Sequence, residues 1–369
     1  MDFKKQTEAA ELLLKEMIPI PSVTFKEAER SRFLAGYLER MLRQTGASES
    51  VKIIKVKDNI LICSPKKNCK TLMLCAHIDT VPPADGYTFE PYALTQKEGR
   101  LIGLGVNDDG ASLACMAVVF SAMAVKTKNL SLLLCISTQE EKSGKDGMKA
   151  VMNYLKTCTS IPYPDFAIVG EPTGMKAAIA EKGLLVVDGV AYGQACHAAT
   201  GGKDNAIYNA FKDIEAILKT RFTRKSALLG PTHLVVTQIN AGKCHNAQPA
   251  KCEYVIDIRP NDRYTNEEIL EKLKSRVGGT LKARSLDHVS RVTPEGSVLM
   301  KAVECLGLKT YASATSSDWS LLDIPAIKIG PGDSSRSHKA DEYVTRKEVR
   351  SGIEGYTAII QAIDSKLKK

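Results

Sequence analysis

The chain has 369 residues, enough for two domains at about 150 residues per domain. Hydrophobic residues make up 44% and charged residues 25% of it, and these proportions exclude a disordered or fibrous protein. The net charge is +9, but the basic residues are scattered and aromatic residues make up only 6%. Because no basic and aromatic surface for stacking bases is indicated, we expect no nucleic-acid partner.

The distribution of apolar residues and cysteines indicates a cellular compartment. No apolar stretch reaches the roughly 18–20 residues that a membrane span requires, and the longest, residues 113–125, predicts a buried helix. The first residues carry charges where a signal peptide has its apolar segment. The ten cysteines form no Cys-x-x-Cys pair, which is typical of free thiols in a reducing compartment. We therefore expect a cytoplasmic protein without a membrane contact.

The first part of the chain alternates helices with short apolar strands. The predicted helices are Glu8–Met17, Glu27–Thr45, Ala111–Lys126 and Gly147–Leu155. The predicted strands are Asn59–Cys63, Thr71–Ala76, Ser131–Ile136 and Phe166–Val169, with an irregular segment after the second of them that extends to Leu104. Because these strands are apolar throughout, we expect an α/β sheet that is covered by helices on both faces.

The middle of the chain has a different pattern. Its predicted elements are a strand-like segment Ala178–Gly193, helix Asn205–Lys219, strands His233–Ile239 and Lys251–Arg259, helix Asn266–Val277 and a strand near Leu281–Arg284. This order is that of a ferredoxin-like α+β unit. The α/β pattern then returns with helix Ser297–Gly307, strand Ala326–Ile329 and helix Arg346–Leu367. We therefore predict a discontinuous domain of residues 1–175 and 290–369, interrupted by an inserted domain of residues 176–289.

Residues with acid–base or metal-binding chemistry follow the ends of several predicted strands, where open α/β sheets carry their sites. His77 and Asp79 follow the strand at 71–76, and their spacing allows the carboxylate to orient the imidazole. The other residues of this kind are Glu140 and Glu141 after 131–136, Glu171 after 166–169, and His338 beyond 326–329. Two histidines and several carboxylates without cysteine form a ligand set typical of zinc, cobalt or manganese.

The glycine-containing segment Gly103–Gly110 precedes the helix at Ala111 and contributes Asp108 and Asp109. Either aspartate alone is equally consistent with a helix N-cap. The segment is a poor match to a dinucleotide-binding loop, which needs Gly-x-Gly-x-x-Gly after a first strand and an acidic residue about 20 positions later. Taken together, the ligands suffice for two ions that share one carboxylate, with a neighbouring glutamate as general base.

Six blocks of the sequence, in this order, resemble the co-catalytic zinc deacylases, the family of acetylornithine deacetylase, succinyl-diaminopimelate desuccinylase and aminoacylase. The blocks are His77–Pro82, Gly103–Asp108, Gln139–Glu141, Gly170–Thr173, Cys196–Ala198 and Ser337–His338. Bacterial acetylornithine deacetylase-like members are the most similar, through Ile179–Gly183, Asp204–Ile207 and Gly330–His338. The resemblance implies a zinc-hydrolase sheet with an inserted ferredoxin-like lid domain that forms a homodimer.

The resemblance also implies a role for each matched residue. One zinc ion would be bound by His77, Asp108 and Glu171, and the second by Asp108, Glu141 and His338, with cobalt as a substitute metal. Many members have Asp-Met-Lys-Gly where this chain has Asp108-Asp109-Gly110, so Asp109 is the alternative bridging ligand.

The remaining matched residues are expected to act on the substrate. Asp79 would orient His77, and Glu140 would be the general base. His197 would enter the active site of the neighbouring subunit and stabilise the oxyanion, while Asn246 and Arg259 would hold the substrate carboxylate. Asp318 either caps a helix or meets a cationic side chain of the substrate.

We predict from these residues a dinuclear zinc amidohydrolase that removes an acyl group from the α-nitrogen of a small amino acid. N-acetylornithine, deacetylated in arginine biosynthesis, is the first candidate substrate. Desuccinylation of succinyl-ornithine or succinyl-diaminopimelate and a dipeptidase activity of the same fold are alternatives. A non-catalytic binding module is the competing class, and it is disfavoured because the ligand set and Glu140 are complete.

Overall fold

A computed structural model describes residues 2–47 and 51–367 of the chain. These residues form two compact units. Unit 1 contains the described residues up to Ile179, the segment Thr293–Tyr311 and the described residues from Ser317 onward. Unit 2 contains Ala180–Val292 and Ala312–Ser316.

The helices and strands of the described residues have the following bounds. The helices are α1 Phe3–Met17, α2 Ala28–Gln44, α3 Ala111–Met123, α4 Met148–Thr157, α5 Ala206–Leu218, α6 Asn266–Lys274, α7 Val298–Cys305 and α8 Arg346–Lys366. The strands are β1 Lys52–Val56, β2 Asn59–Ser64, β3 Lys70–His77, β4 Thr95–Lys97, β5 Arg100–Ile102, β6 Leu130–Ser137, β7 Phe166–Val169, β8 Ala177–Glu181, β9 Leu185–Tyr192, β10 Cys196–His197, β11 His233–Ala241, β12 Ala247–Gln248, β13 Lys251–Arg259, β14 Thr280–Ala283, β15 Arg291–Val292, β16 Thr310–Ser313, β17 Ala326–Lys328 and β18 Tyr343–Thr345. None of the helices described here is long and apolar enough to cross a membrane.

The core of unit 1 is a mixed sheet in which the strands lie in the order β1-β2-β6-β3-β7-β17-β8. The four central strands β6, β3, β7 and β17 are parallel to one another. Strands β2, β6 and β7 are buried along their whole length, as expected for strands that are covered on both faces. One hydrophobic cluster packs α1, α3 and α8 against one face, and a second packs α4 and Trp319 against the other. This confirms the predicted α/β architecture.

Unit 2 contains a four-stranded antiparallel sheet in the order β11-β13-β9-β14. Helices α5 and α6 share its hydrophobic cluster, in which Tyr254 and Ile256 are fully buried. The chain order β9-α5-β11-β13-α6-β14 is that of the ferredoxin-like unit that the sequence predicts. Strand β11 is an edge of this sheet.

The structure corrects several predicted boundaries. Helix α1 begins at Phe3 rather than Glu8, because the Asp2 side chain accepts hydrogen bonds from the backbone N–H groups of Lys4 and Lys5. The single strand-like segment 178–193 is two strands, β8 and β9, and the strand β1 was missed. The segment expected to be irregular up to Leu104 contains β4 and β5, which pair with each other, and β5 also pairs with the distant strand β18. Such short polar strands depend on non-local pairing and carry little periodic signal.

Candidate metal centre

The carboxyl ends of the parallel strands of unit 1 bring the predicted ligands together. His77 is the last residue of β3 and lies beside Ser137, the last residue of β6. Glu140 and Glu141 follow in the loop after β6, and Glu171 lies two residues beyond β7. Because neighbouring parallel strands end at the same edge of the sheet, these loops converge.

Two groups of side chains place their ligand atoms within 4.8 Å of one another. One group is His77, Asp108 and Glu171, and the other is Asp108, Glu141 and His338. Asp108 belongs to both groups: its Oδ1 lies 3.3 Å from His77 Nε2 and its Oδ2 lies 3.7 Å from His338 Nε2. Asp109, the alternative bridging residue, is buried and belongs to neither group in the described part of the chain.

These residues are a suitable ligand set for two divalent cations. Their donor atoms are imidazole nitrogens and carboxylate oxygens without a thiolate, which suits zinc, cobalt or manganese. Burial, together with the negative charge of Asp108, raises the pKa of Glu171 well above its ordinary value, although Lys328 opposes this. The excess of buried carboxylates over basic groups is a charge imbalance that bound cations would neutralise.

Asp79 holds both His77 and the loop that follows β6. Its backbone oxygen lies 3.0 Å from His77 Nδ1 and its Oδ1 lies 3.5 Å away, which leaves Nε2 to face Asp108. Its two carboxylate oxygens accept the backbone N–H groups of Glu140 and Glu141 at 3.0 and 3.1 Å. Burial alone would lower the pKa of His77, but the bonds to Asp108 and Asp79 hold this pKa well above its ordinary value. A carboxylate in this place fixes the tautomer of a metal-binding histidine.

Among the described residues, Glu140 lies beside the two ligand groups without belonging to either. Burial is the main reason why its pKa is raised well above the ordinary value, against the lowering influence of His77. The negative charges of Glu171, Asp318 and Glu141 add to this effect. A glutamate that lies beside a candidate metal centre without being one of its ligands is a candidate general base.

Sequence reasoning missed several residues that support the centre. Thr24 Oγ1 donates to Asp79 at 3.0 Å, and Glu27 accepts the backbone N–H groups of Phe25 and Gln139. Glu342 accepts three backbone N–H groups of the Asp108 segment, and burial raises its pKa to about 8. All of these contacts except that of Phe25 join segments that are far apart in the chain, so no local pattern marks them.

Asp318 does not cap the short helix that it begins, which was one of the two roles that the sequence left open. The turn that it begins is capped by Ser317, and the Asp318 side chain is buried. Its carboxylate accepts hydrogen bonds from Ser137 Oγ at 2.6 Å and Cys75 Sγ at 3.7 Å, while burial raises its pKa to about 6. Asp318 therefore links the ends of β3 and β6.

The three other predicted site residues lie in unit 2. His197 is exposed at the end of β10 and is paired with Ala247 of β12. This pairing brings His197 near Asn246, the residue that precedes β12. The backbone oxygen of Asn246 accepts the N–H group of Ala198 at 2.9 Å. Arg259, at the end of β13, donates from Nε and Nη2 to the carboxylate of Asp257 at 2.7 and 3.0 Å.

Comparison with known proteins gives a consistent result. The model of peptidase family M20/M25/M40 matches residues 73–362. Acetylornithine deacetylase of Proteus mirabilis is 28% identical over 359 residues, which cover 90% of this chain and 91% of that protein. Succinyl-diaminopimelate desuccinylase of Acidiphilium cryptum is 26% identical over 307 residues, covering 78% and 81%. The structure of an M20 family metallo-carboxypeptidase from Sulfolobus solfataricus is similar in fold, with a TM-score of 0.77, 17% identity and coverage of 96% and 99%.

The fold and the site define the class of the protein as a metal-dependent amidohydrolase. The family match extends over most of the chain, from β3 through most of α8. The chain belongs to peptidase family M20/M25/M40. This confirms the resemblance that the six sequence blocks indicate.

Proposed function

We propose that the protein is a dinuclear zinc hydrolase that deacetylates N-acetylornithine or a close analogue, as a step of arginine biosynthesis. The observation that carries the proposal is the pair of ligand groups that share Asp108, with Glu140 beside them. The similarity to acetylornithine deacetylase over 90% of the chain supports the choice of substrate. The ten free cysteines support a reducing, cytoplasmic location.

The reaction requires a proton to move from water to the leaving amine. Two divalent ions at this centre would polarise the amide carbonyl and lower the pKa of the attacking water. Glu140 takes the proton from that water and returns it to the amine nitrogen, because an amide anion is a poor leaving group. Asp79 keeps Glu140 in place through the backbone N–H of that residue. The five ligand side chains hold the ions, and Asn246 with the remaining donors of Arg259 binds the substrate carboxylate.

The substrate is tested by comparing kcat/KM for acetylornithine, acetylcitrulline, succinylornithine and succinyl-diaminopimelate with the zinc- or cobalt-loaded protein. We expect acetylornithine to exceed both succinylated compounds by about tenfold or more, which corresponds to about 1.4 kcal/mol of transition-state binding. Enzyme treated with a chelator is the control and should be inactive until metal is returned. A tenfold preference for succinyl-diaminopimelate would instead support the second candidate function, for which the similarity to a desuccinylase is the reason.

We also propose that the protein is a homodimer and that unit 2 provides the interface. Within the described part of the chain, strand β11 is an edge strand with exposed Val235 and Ile239, and helix α5 exposes Tyr208 and Phe211. An exposed edge strand with apolar neighbours favours association, and a second β11 can pair with it about a two-fold axis. The inserted unit would then act as a dimerisation and lid domain.

The dimer is tested by sedimentation velocity of the wild type and of the double variant Phe211→Glu, Ile239→Glu. We expect twice the mass of one chain for the wild type, and a monomer for the variant, because burying a large apolar side chain contributes about 1.5–3 kcal/mol. Leu12→Glu is the control, since Leu12 is similarly exposed but lies on α1 of unit 1. A wild-type monomer at micromolar concentration would contradict the proposal.

A further inference from the structure

Glu342 is a buried carboxylate with an unusual set of partners. Its Oε1 accepts the backbone N–H groups of Asn107 and Asp108, both at 2.8 Å, and its Oε2 accepts that of Gly105 at 3.3 Å. Only 2% of the residue is exposed to solvent. Hydrogen bonds from several backbone N–H groups to one buried carboxylate are strong and hold the donor segment in a single conformation.

The held segment is the one that carries Asp108. Gly105 has a positive φ of 74°, and a side chain there would come within 2.4 Å of Thr80 Cγ2, so the turn has little freedom to rearrange. Asp108 itself has extended backbone angles, and its own N–H is one of the three donors to Glu342. The direction of the Asp108 side chain therefore depends on the bond to Glu342.

Glu342 also lies close along the chain to His338, the other histidine of the centre. Its backbone oxygen accepts the N–H of Gly103 at 3.0 Å, and strand β18 begins at the next residue and pairs with β5. Asn107 strengthens the same connection, because its Nδ2 donates to Asp333 O at 3.1 Å and to Ser337 Oγ at 3.3 Å. Hydrogen bonds therefore connect the segment that carries His338 to the segment that carries Asp108.

We propose that Glu342 is a positioning residue. It directs the Asp108 carboxylate toward both metal positions and keeps this carboxylate aligned with His338. The inference rests on the proposed two-metal function. Glu342 acts through Asp108 and belongs to neither ligand group in the described residues. The three hydrogen bonds from backbone N–H groups, and not the negative charge of Glu342 alone, therefore determine the position of Asp108.

Two substitutions separate geometry from charge. Glu342→Gln keeps the shape but turns an N–H₂ group toward a backbone N–H, so at least one of the three bonds is lost. Glu342→Asp keeps the charge but is shorter by one methylene and cannot reach the same donors. If only the charge of Glu342 mattered, the aspartate variant would bind metal with the affinity of the wild type.

Asp341 offers a matched control one residue away. Its carboxylate also accepts backbone N–H groups, those of Thr88 and Phe89, at 2.9 and 3.2 Å, but it has no bond to the Asp108 segment. Asp341→Asn removes a negative charge and weakens a loop contact in the same part of the chain. This variant therefore measures how much metal affinity is lost when the segment is disturbed without a change at Glu342.

The experiment measures the number and affinity of bound zinc ions by competition with a chromogenic chelator, with thermal unfolding as the test of folding. We expect wild type to bind two ions and both Glu342 variants to bind at least one of them about 10–100-fold more weakly. Asp341→Asn should stay within about threefold of wild type, well below the loss expected for an outer partner of a metal ligand. The cobalt-loaded forms should show the same order in their absorption spectra, because the coordination of Asp108 changes.

Each other outcome has a definite meaning. If the Glu342 variants are folded and bind both ions with wild-type affinity, the positioning role is overturned while the proposed function stands. The same holds if both variants fail to fold, since Glu342 would then serve the stability of the fold alone. If Asp341→Asn loses as much affinity as Glu342→Gln, the effect belongs to the segment and not to Glu342. If wild type itself does not bind two ions, the proposed metal centre fails and the inference fails with it.

Discussion

Replacing Glu140 with Gln or Ala is expected to lower kcat by at least about 10²-fold while the metal content stays unchanged. The side chain of Glu140 lies outside both ligand groups of the described residues, so its removal should not release an ion. Its backbone N–H is bound by Asp79, and this bond persists whatever side chain is present. The loss should therefore come from proton transfer and not from a displaced loop.

The measurement is kcat together with metal per chain by elemental analysis. Glu141→Gln is the matched control, since Glu141 is the next residue, is held by the same carboxylate of Asp79 and lies 3.0 Å from His338 Nε2. This variant is expected to lose metal affinity as well as activity. If Glu140→Ala instead lost a whole metal equivalent, the roles assigned to Glu140 and Glu141 would have to be exchanged.

His197→Ala is expected to bind metal and substrate normally but to lower kcat by roughly 10²–10³-fold. Donation of a hydrogen bond to a developing oxyanion contributes about 2.7–4 kcal/mol, which corresponds to that loss. His197 is exposed in unit 2, and its Nδ1 accepts the N–H of Ala199 at 3.2 Å, so Nε2 is the atom that would donate. His233→Ala, which removes another exposed histidine of unit 2, should retain wild-type kcat.

The proposal that His197 acts on the neighbouring subunit is tested by mixing His197→Ala with Glu140→Ala. If it does, each hybrid dimer contains one site free of both lesions and one site with both. Random exchange of subunits makes half of the dimers hybrids, so the mixture should recover about a quarter of wild-type activity. If subunits demonstrably exchange and activity stays at the level of the two parents, His197 does not act across the interface.

The parts of the fold that the sequence predicted well are those with a local physical signal. Strands β3, β6 and β7 are mostly apolar because both faces are covered, and their predicted limits differ from the observed ones by a single residue or none. Strands β1, β4 and β5 were missed because they are short, largely exposed or polar. Their formation depends on distant partners rather than on their own periodicity.

The candidate site likewise combines residues that a local sequence motif predicts with residues that no local motif predicts. His77, Glu141, Glu171 and His338 were predicted because motifs at strand ends carry them, and parallel strands necessarily bring those ends together. Thr24, Glu27 and Glu342 were not predicted, because their role consists of hydrogen bonds to backbone groups in other segments. A backbone N–H is present at every residue except proline, so the sequence does not show which one a carboxylate will accept.

The sequence by itself determined the family and the class of enzyme, since its order of histidines and carboxylates matches a metal ligand set with a further glutamate beside it. Only the tertiary structure distinguishes Asp108 from Asp109 as the candidate bridging ligand. The two adjacent carboxylates are equivalent in any sequence pattern, and only the groups that surround each of them in the folded chain distinguish them. Asp108, whose N–H is bound by Glu342, faces His77 and His338, whereas Asp109 is buried and belongs to neither ligand group of the described chain.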